Sequence, residues 1–280
     1  MNLRKLFESN QAPATLEKEL TPEELREKLR DPSYLPTHED INHAFMSKDG
    51  SFDTEAWKKF CNDNECYEFL NEEFISALGD YLGQRVKSLG NLNENPITIL
   101  EVGAGNGRLC HFLNQKIEAQ ILKKINLVAT DSGKGSGMGK IEPLFPVEMM
   151  DYKDALQKYQ PKIVINSWMP SEIDFTQAFR DSQSVDEYIL IGEPDSGMCG
   201  HSWLTWGWKF YEENLDGEEG KENEEAYEKQ NKPGQAPPYM ADGFESEMLD
   251  SISQHQICRV DDGPQYSRHS VTMTFRRRKD

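Results

Sequence analysis

The sequence predicts an α/β protein with an open, mostly parallel sheet and a helical segment before it. Short apolar runs bounded by turn residues fit buried parallel strands better than helices. Between them, apolar side chains recur at helical spacing, as in residues 109–117. Several runs end in a carboxylate or an asparagine, and the ligands of an open α/β sheet bind at that edge. The predicted strands are residues 97–102, 125–130, 147–150, 162–166 and 187–192.

A glycine-rich turn follows the first predicted strand. The segment ITILEVGAGNG, residues 97–107, places an acidic residue before three glycines at alternate positions. Such glycines let the backbone turn sharply and approach a ligand with no Cβ in the way, and the next helix offers unpaired N–H groups. A dinucleotide-binding turn has its third glycine one residue later, where Arg108 stands here. A purely structural turn in another α/β protein is the alternative interpretation.

The spacing E-x-G-x-G-x-G resembles motif I of the class I S-adenosylmethionine (SAM) dependent methyltransferases, whose glycines lie under the methionine part of the cofactor. The segments GEPDSGMCGHSWLTWGW and ADGFE look like a poorly characterised eukaryotic branch of that family. The resemblance implies a Rossmann-like seven-stranded sheet, parallel with a C-terminal antiparallel hairpin, and SAM as cofactor. The residues that it assigns to cofactor binding are Glu101, Gly103, Ala104, Gly105, Asn106, Gly107, Asp131, Asp151, Tyr152 and Asn166.

The ends of the second and third predicted strands agree with this resemblance. Asp131 follows the second strand, where a carboxylate can accept hydrogen bonds from both ribose hydroxyls. Asp151 stands at the position where the family places an acidic or polar side chain against the adenine amino group. Tyr152, the next residue, can supply an apolar wall for the adenine ring. A solvated loop aspartate is the alternative for residue 131.

The fourth predicted strand ends in Asn166-Ser167-Trp168-Met169, at the position that faces the transferred methyl in the family. Enzymes that methylate exocyclic adenine amines or glutamine amides carry the motif [N/D]PP[Y/F] there. Asn166 matches its first position, but Ser167 and Trp168 replace the prolines and Met169 replaces the aromatic residue. That specific chemistry is therefore not expected, whereas Trp168 and Met169 are predicted to line the acceptor site.

An aromatic run follows the fifth predicted strand. Residues 198–208 hold three tryptophans and a histidine, and aromatic faces bind flat or cationic groups. Trp203 and Trp206 are therefore predicted to bind substrate, with packing in the core as the alternative. His201 and Glu193 are the candidate catalytic bases, because an imidazole titrates near neutral pH and the carboxylate stands just after the strand. A structural role is the alternative for the histidine.

We expect residues 1–95 to form a helical extension or cap and residues 96–280 to form the cofactor-binding core. Thr21-Pro22-Glu23-Glu24 predicts a helix start, and residues 65–88 an amphipathic helix. Residues 31–53 are predicted to be a loop that acts as a lid or only as a connection. In the tail, the predictions are a helix at 244–252, strands at 255–260 and 270–276, and a turn at 261–264.

Charge and composition limit the function. The net charge is -18, and residues 212–229 carry nine acids against two lysines, so residues 212–238 are predicted to be an exposed acidic insertion. This balance argues against a large nucleic-acid interface. The basic run at 276–279 is predicted to be either a phosphate-binding or nuclear-import patch or, equally, a frayed and solvated strand end. The five cysteines include no CxxC pair, so no metal site or disulfide framework is indicated.

No apolar run approaches the roughly 18 residues of a membrane span, and no signal peptide is evident. We therefore expect an intracellular protein, cytoplasmic or nuclear, without membrane association. The leading hypothesis is methyl transfer from SAM to a small molecule or a protein side chain. The alternatives are a catalytically silent methyltransferase-like subunit that binds a protein partner and, least favoured by the charge, an RNA methyltransferase.

Overall fold

The computed structural model describes residues 20–31, 33–47, 50–64, 66–89, 96–133, 145–194, 198–208, 235–261 and 269–279. Four helices precede the first strand: α1 Pro22–Lys28, α2 His38–Phe45, α3 Thr54–Asp63 and α4 Glu72–Ser88. Strands and helices then alternate as β1 Ile97–Val102, α5 Arg108–Lys116, α6 Ala119–Leu122, β2 Ile125–Asp131, β3 Val147–Met149, α7 Tyr152–Tyr159, β4 Ile163–Ser167, α8 Thr176–Asp181 and β5 Glu187–Gly192. The remaining elements are a π-helix Ser202–Trp206, short helices Pro238–Ala241 and Asp250–Ser253, and strands β6 Phe244–Met248 and β7 Val271–Arg277.

The seven strands form one mixed sheet in the order β3-β2-β1-β4-β5-β7-β6. Strands β1 to β5 are parallel, whereas β7 is antiparallel to both β5 and β6. The predicted Rossmann-like sheet with an antiparallel C-terminal pair is therefore confirmed. Because β1 lies between β2 and β4, the strand order reverses direction there, and a crevice opens beyond the carboxyl ends of these strands.

Two apolar layers cover the sheet. On one face, α4 and α5 bury side chains such as Leu78, Leu82 and Phe112 against the strands. On the other face, aromatic side chains including Phe179 and Phe275 form the second cluster. Strands that are covered on both faces have nearly continuous apolar sequences. The sequence pattern therefore identifies the central strands of the sheet.

The helices α1 to α3 build a small core of their own around Trp57, which is fully buried. Thr21 forms the predicted capping box with Glu24, so the predicted helix start is confirmed. The indole N–H of Trp57 donates to the carbonyl of Cys258 at 3.2 Å, and Ile257 belongs to the same cluster. The extension is thereby attached to the tail of the chain.

Two predicted segments differ in the structure, and a third is not described. Residues 31–53, predicted as a loop, contain α2, since Thr37 and Asp40 form a second capping box ahead of an apolar helix face. The helix predicted over 65–88 begins only at Glu72, because the Asn71 side chain caps it by accepting from the Phe74 N–H. The acidic insertion lies largely outside the described residues.

The tail also departs from prediction. Residues 244–252 form β6 and then a one-turn helix rather than one helix, because β6 pairs with β7 along its length. Residues 255–260 are not a strand: Cys258 makes one isolated bridge to Glu68, and the segment packs under the extension. The strand at 270–276 is confirmed as β7, and most of the predicted turn at 261–264 lies outside the described residues.

A buried carboxylate joins α4 to the centre of the sheet. Glu187, at the start of β5, is fully buried and accepts hydrogen bonds from Tyr81 and Thr274. Its other oxygen accepts from Arg85 Nε at 2.6 Å. A buried ion pair of this kind becomes costly when one partner is removed, because the remaining charge is left without compensation.

We expect Glu187→Ala to lower the free energy of unfolding by about 3–5 kcal/mol, since it leaves Arg85 and two hydroxyls unpaired. Urea denaturation measures this loss. Glu247→Ala is the control: this exposed carboxylate pairs with Arg276 on the edge of the sheet, and its loss should cost less than about 1 kcal/mol. Equal losses in the two variants would show that the buried network contributes no more than a surface pair.

Candidate functional site

The glycine loop after β1 has the backbone geometry that its sequence predicts. Gly103, Gly105 and Gly107 have φ values of +67°, +54° and +75°, in the left-handed region that favours glycine. The Ala104 N–H donates to the Thr130 carbonyl at 3.0 Å, and the Gly107 N–H donates to the Ala104 carbonyl at 2.9 Å. The loop is therefore held against the end of β2 and leads directly into α5.

Asn166 lies beside this loop at the end of β4. Its side chain is 2% exposed, and its Nδ2 donates to the Val102 carbonyl at 2.9 Å. A Cβ on Gly103 would lie 3.2 Å from that Nδ2, so the loop and the amide are closely packed. Asn166 Oδ1 is buried without a hydrogen-bond partner among the described residues. Buried carbonyl oxygens normally have a donor, so this oxygen has an unused capacity to accept a hydrogen bond.

Asp131 closes the other side of the loop. Its Oδ2 accepts from the Gly105 N–H at 2.9 Å, and its Oδ1 accepts from the Gly133 N–H at 2.7 Å. The residue is half-buried, and each carboxylate oxygen has two lone pairs, so both can accept a further hydrogen bond. The structure thus places the predicted ribose acceptor directly against the predicted glycine loop.

Asp151 and Tyr152 stand together where α7 begins. Asp151 is the N-cap of this helix, and its Oδ1 accepts from the Lys153 N–H at 3.0 Å. The Tyr152 ring stacks on Phe175, with ring centroids 4.3 Å apart. The preceding Met149 is 67% exposed, which leaves an apolar side chain open beside the end of β3. Polar and apolar groups that suit a flat nucleobase therefore lie together at the start of α7.

Glu101 lies beneath the loop rather than at its surface. Its side chain is 2% exposed, and this burial raises the pKa of the carboxyl to about 7. Hydrogen bonds from the Cys110 amide and thiol act in the opposite direction and lower the pKa. One of its oxygens has no hydrogen-bond partner among the described residues. The Glu101 carboxyl is therefore buried against Cys110 of α5, and its role in cofactor binding stays a prediction.

Among the residues predicted to line the acceptor site, Trp168 keeps part of its side chain exposed. It has a φ of +56°, which is rare for a bulky residue, and its N–H donates to the Ile191 carbonyl at 2.8 Å. Its indole N–H donates to Glu68 Oε2 at 3.0 Å, and Ser270 Oγ donates to Glu68 Oε1 at 3.1 Å. Burial raises the pKa of Glu68 to about 8. Sequence reasoning did not find Glu68, because a single acid in the extension matches no motif.

The other predicted substrate residues are buried. Met169, Trp203 and Trp206 are 2%, 4% and 1% exposed, and the Trp206 indole N–H donates to the Cys199 carbonyl at 2.8 Å. Packing in the core, the alternative interpretation of the aromatic run, is what the structure shows for these three side chains. They are therefore not part of the open crevice.

The two candidate bases are held by local structure. His201 is the N-cap of the π-helix, and its Nδ1 accepts from the Leu204 N–H at 3.2 Å. Glu193 follows β5 and is 2% exposed. Neither geometry assigns a proton transfer, and both residues stay predictions.

Among the described helices, none is long and apolar enough to cross a membrane.

No family model matches the chain, and no curated protein does. Solved structures do match it. The citrinin polyketide synthase CMeT domain is 14% identical with a TM-score of 0.42, over 86% of this chain and 60% of that one. The DszA carbon methyltransferase is 15% identical with a TM-score of 0.39, over 71% of this chain. This chain spans about half, 54%, of the DszA chain.

A third match is the magnesium protoporphyrin IX methyltransferase of Synechocystis PCC 6803, whose structure contains bound SAM. It is 14% identical with a TM-score of 0.34, over 72% of this chain and 79% of that one. Similarity at this level does not by itself assign an activity, and nothing in these matches bears on the eukaryotic branch of the sequence resemblance.

Substitution of Gly107 tests the packing of the loop. A Cβ there would lie 2.8 Å from Val147 Cγ2, in addition to the strain of a φ of +75°. Gly243 is the matched control, because its φ is +83° but no atom lies within 4 Å of a Cβ. Gly243→Ala should cost about 1–2 kcal/mol of unfolding free energy from strain alone. Gly107→Ala should cost about 1–3 kcal/mol more from overpacking. Equal costs in urea denaturation would contradict the close contact with β3.

The raised pKa values of Glu68 and Glu101 predict a pH dependence of stability. Between the ordinary glutamate pKa and about 8, the folded protein retains a proton on Glu68 that the unfolded chain has lost. The free energy of unfolding therefore falls as the pH rises through this window, by up to about 1.4 kcal/mol per pH unit for each proton. Glu68→Gln should flatten this slope in urea denaturation at several pH values. A slope equal to that of the wild type would contradict the raised pKa.

Proposed function

We propose that this chain is a class I SAM-dependent methyltransferase that binds SAM at the carboxyl ends of β1, β2 and β3. The observation that carries the proposal is the arrangement at the point where the strand order reverses. The glycine loop packs against the Asn166 side-chain amide, whose buried Oδ1 has no hydrogen-bond partner among the described residues, and Asp131 borders the same loop. Ligands of open α/β sheets bind at this point.

The described residues fit the chemical groups of SAM. The loop from Gly103 to Gly107 would lie under the methionine part, whose ammonium group can donate to Asn166 Oδ1. Asp131 would accept from the ribose hydroxyls with its remaining lone pairs, and charged acceptors make the stronger hydrogen bonds. Asp151, with Tyr152 and the methionines before it, would contact the adenine.

The chemistry of such a site is a displacement at carbon. The sulfonium of SAM activates its methyl group, so the carbon–sulfur bond breaks as an acceptor atom attacks, and S-adenosylhomocysteine leaves. The protein then contributes mainly alignment, and a base where the acceptor must lose a proton. We propose a small molecule or a protein side chain as the acceptor, and His201 and Glu193 remain the proposed bases.

Calorimetric titration with SAM and with S-adenosylhomocysteine tests the proposed site. Wild-type protein should bind both ligands. Asp131→Ala should weaken binding about tenfold or more, because it removes charged hydrogen bonds to the ribose. Asp154→Ala is the control, since this exposed carboxylate on α7 lies outside the proposed contacts, and its affinity should equal that of the wild type. Circular dichroism checks that each variant is folded.

Two results would contradict the proposal. Equal affinity in Asp131→Ala and wild type would place the ribose elsewhere. Absence of binding by either ligand to the folded wild type would favour the alternative of a catalytically silent subunit that acts through a protein partner. Transfer of a labelled methyl group from SAM into a pool of metabolites or peptides would in turn exclude the silent subunit.

A further inference from the structure

The N-terminal extension contributes an aromatic side chain to the end of β4. The Tyr67 ring centroid lies 5.5 Å from that of Trp168, with the rings tilted by 41°. Tyr67 is 37% exposed, and Trp168 is half-buried. The Arg259 guanidinium carbon lies 5.0 Å from the Tyr67 centroid. We call these three residues and Glu68 the rim cluster.

The orientation of Trp168 in the rim cluster is fixed at both ends. Its backbone adopts a left-handed conformation that a bulky residue reaches only under constraint, and its N–H is bonded to β5. Its indole N–H is bonded to Glu68, which Ser270 holds in turn. Strain of this kind persists where the surroundings over-determine the conformation, and it concentrates at functional sites. The indole is thus held rigidly two residues after Asn166.

The charge of the rim cluster is opposite to that of the chain. Arg259 brings a permanent positive charge, whereas burial raises the pKa of Glu68 to about 8 and keeps this carboxyl mostly protonated at neutral pH. Asp261, the nearby acid in the same segment, accepts backbone N–H groups of Cys258 and His269 and is buried. The Arg259 cation over the Tyr67 ring therefore remains, on a chain whose net charge is -18.

We propose that the rim cluster binds the methyl acceptor and that this acceptor is a planar aromatic anion. A flat ring can pack on Trp168, two residues after Asn166, as the Tyr67 ring already does at a tilt of 41°. A carboxylate or phosphate on that ring would pair with Arg259, whose planar guanidinium matches such groups. This inference rests on the proposed function, since it names the acceptor class of the same site.

Saturation-transfer NMR on the full chain, with S-adenosylhomocysteine added, tests the proposal with three probes. Indole-3-carboxylate has the ring and the charge, indole-3-carboxamide has the ring alone, and cyclohexanecarboxylate has the charge alone. We expect indole-3-carboxylate to bind best. Arg259→Gln should weaken its binding about tenfold and bring it to the level of the carboxamide. Tyr67→Leu should weaken both indoles about threefold.

Arg26→Gln is the matched control, because the Arg26 guanidinium also lies over an aromatic ring, that of Phe60 at 5.4 Å, and the charge change is the same. This variant should bind indole-3-carboxylate as the wild type does. Equal binding of the carboxylate and the carboxamide, an unchanged affinity in Arg259→Gln, or no binding by any probe would each overturn the acceptor class. Calorimetry with S-adenosylhomocysteine separates this failure from that of the proposed function: if it still binds, only the acceptor class is wrong.

Discussion

The hydrogen bond from Asn166 Nδ2 to the Val102 carbonyl is the contact on which the site depends. It joins the end of β4 to the end of β1 at the place where the sheet reverses its strand order. The glycine loop begins at the next residue and packs against the same amide. The loop after β1 and the residues after β4 are therefore positioned by one side chain, and a shift of either strand would separate them.

The extension and the tail contribute to the same edge of the sheet although they lie far apart in sequence. Trp57 donates to the Cys258 carbonyl, and the Phe69 N–H donates to the Ile257 carbonyl at 2.8 Å. These bonds carry Tyr67 and Glu68 to Trp168. The extension therefore does more than pack on the sheet, because Glu68 orients the indole of Trp168 and Tyr67 packs against the same ring.

The sequence predicts the central sheet and the loop well, because buried parallel strands and closely packed glycines leave local signals. The position of Asp131 beside the loop was predictable for the same reason, because it is a carboxylate at a strand end, and its contact with the ribose stays a prediction. The edge strand β6 is missed, since only β7 pairs with it and its residues have no continuous apolar pattern. Glu68 and Tyr67 are missed because their roles arise from contacts across 100 or more residues. Trp203 and Trp206 have the composition of a binding surface, yet their environment is the core.

The wide sequence separation of the rim cluster sets the order in which the protein can mature. Glu68 is synthesised first, Trp168 100 residues later, and Ser270, which directly precedes β7 and donates to Glu68, 202 residues after Glu68. The glycine loop, Asp131 and Asn166 are all synthesised before Ser270. A growing chain can therefore assemble the loop between β1 and α5 while the Glu68 side chain still lacks its bond from Ser270. The orientation of Trp168 would then be completed only when β7 has joined the sheet.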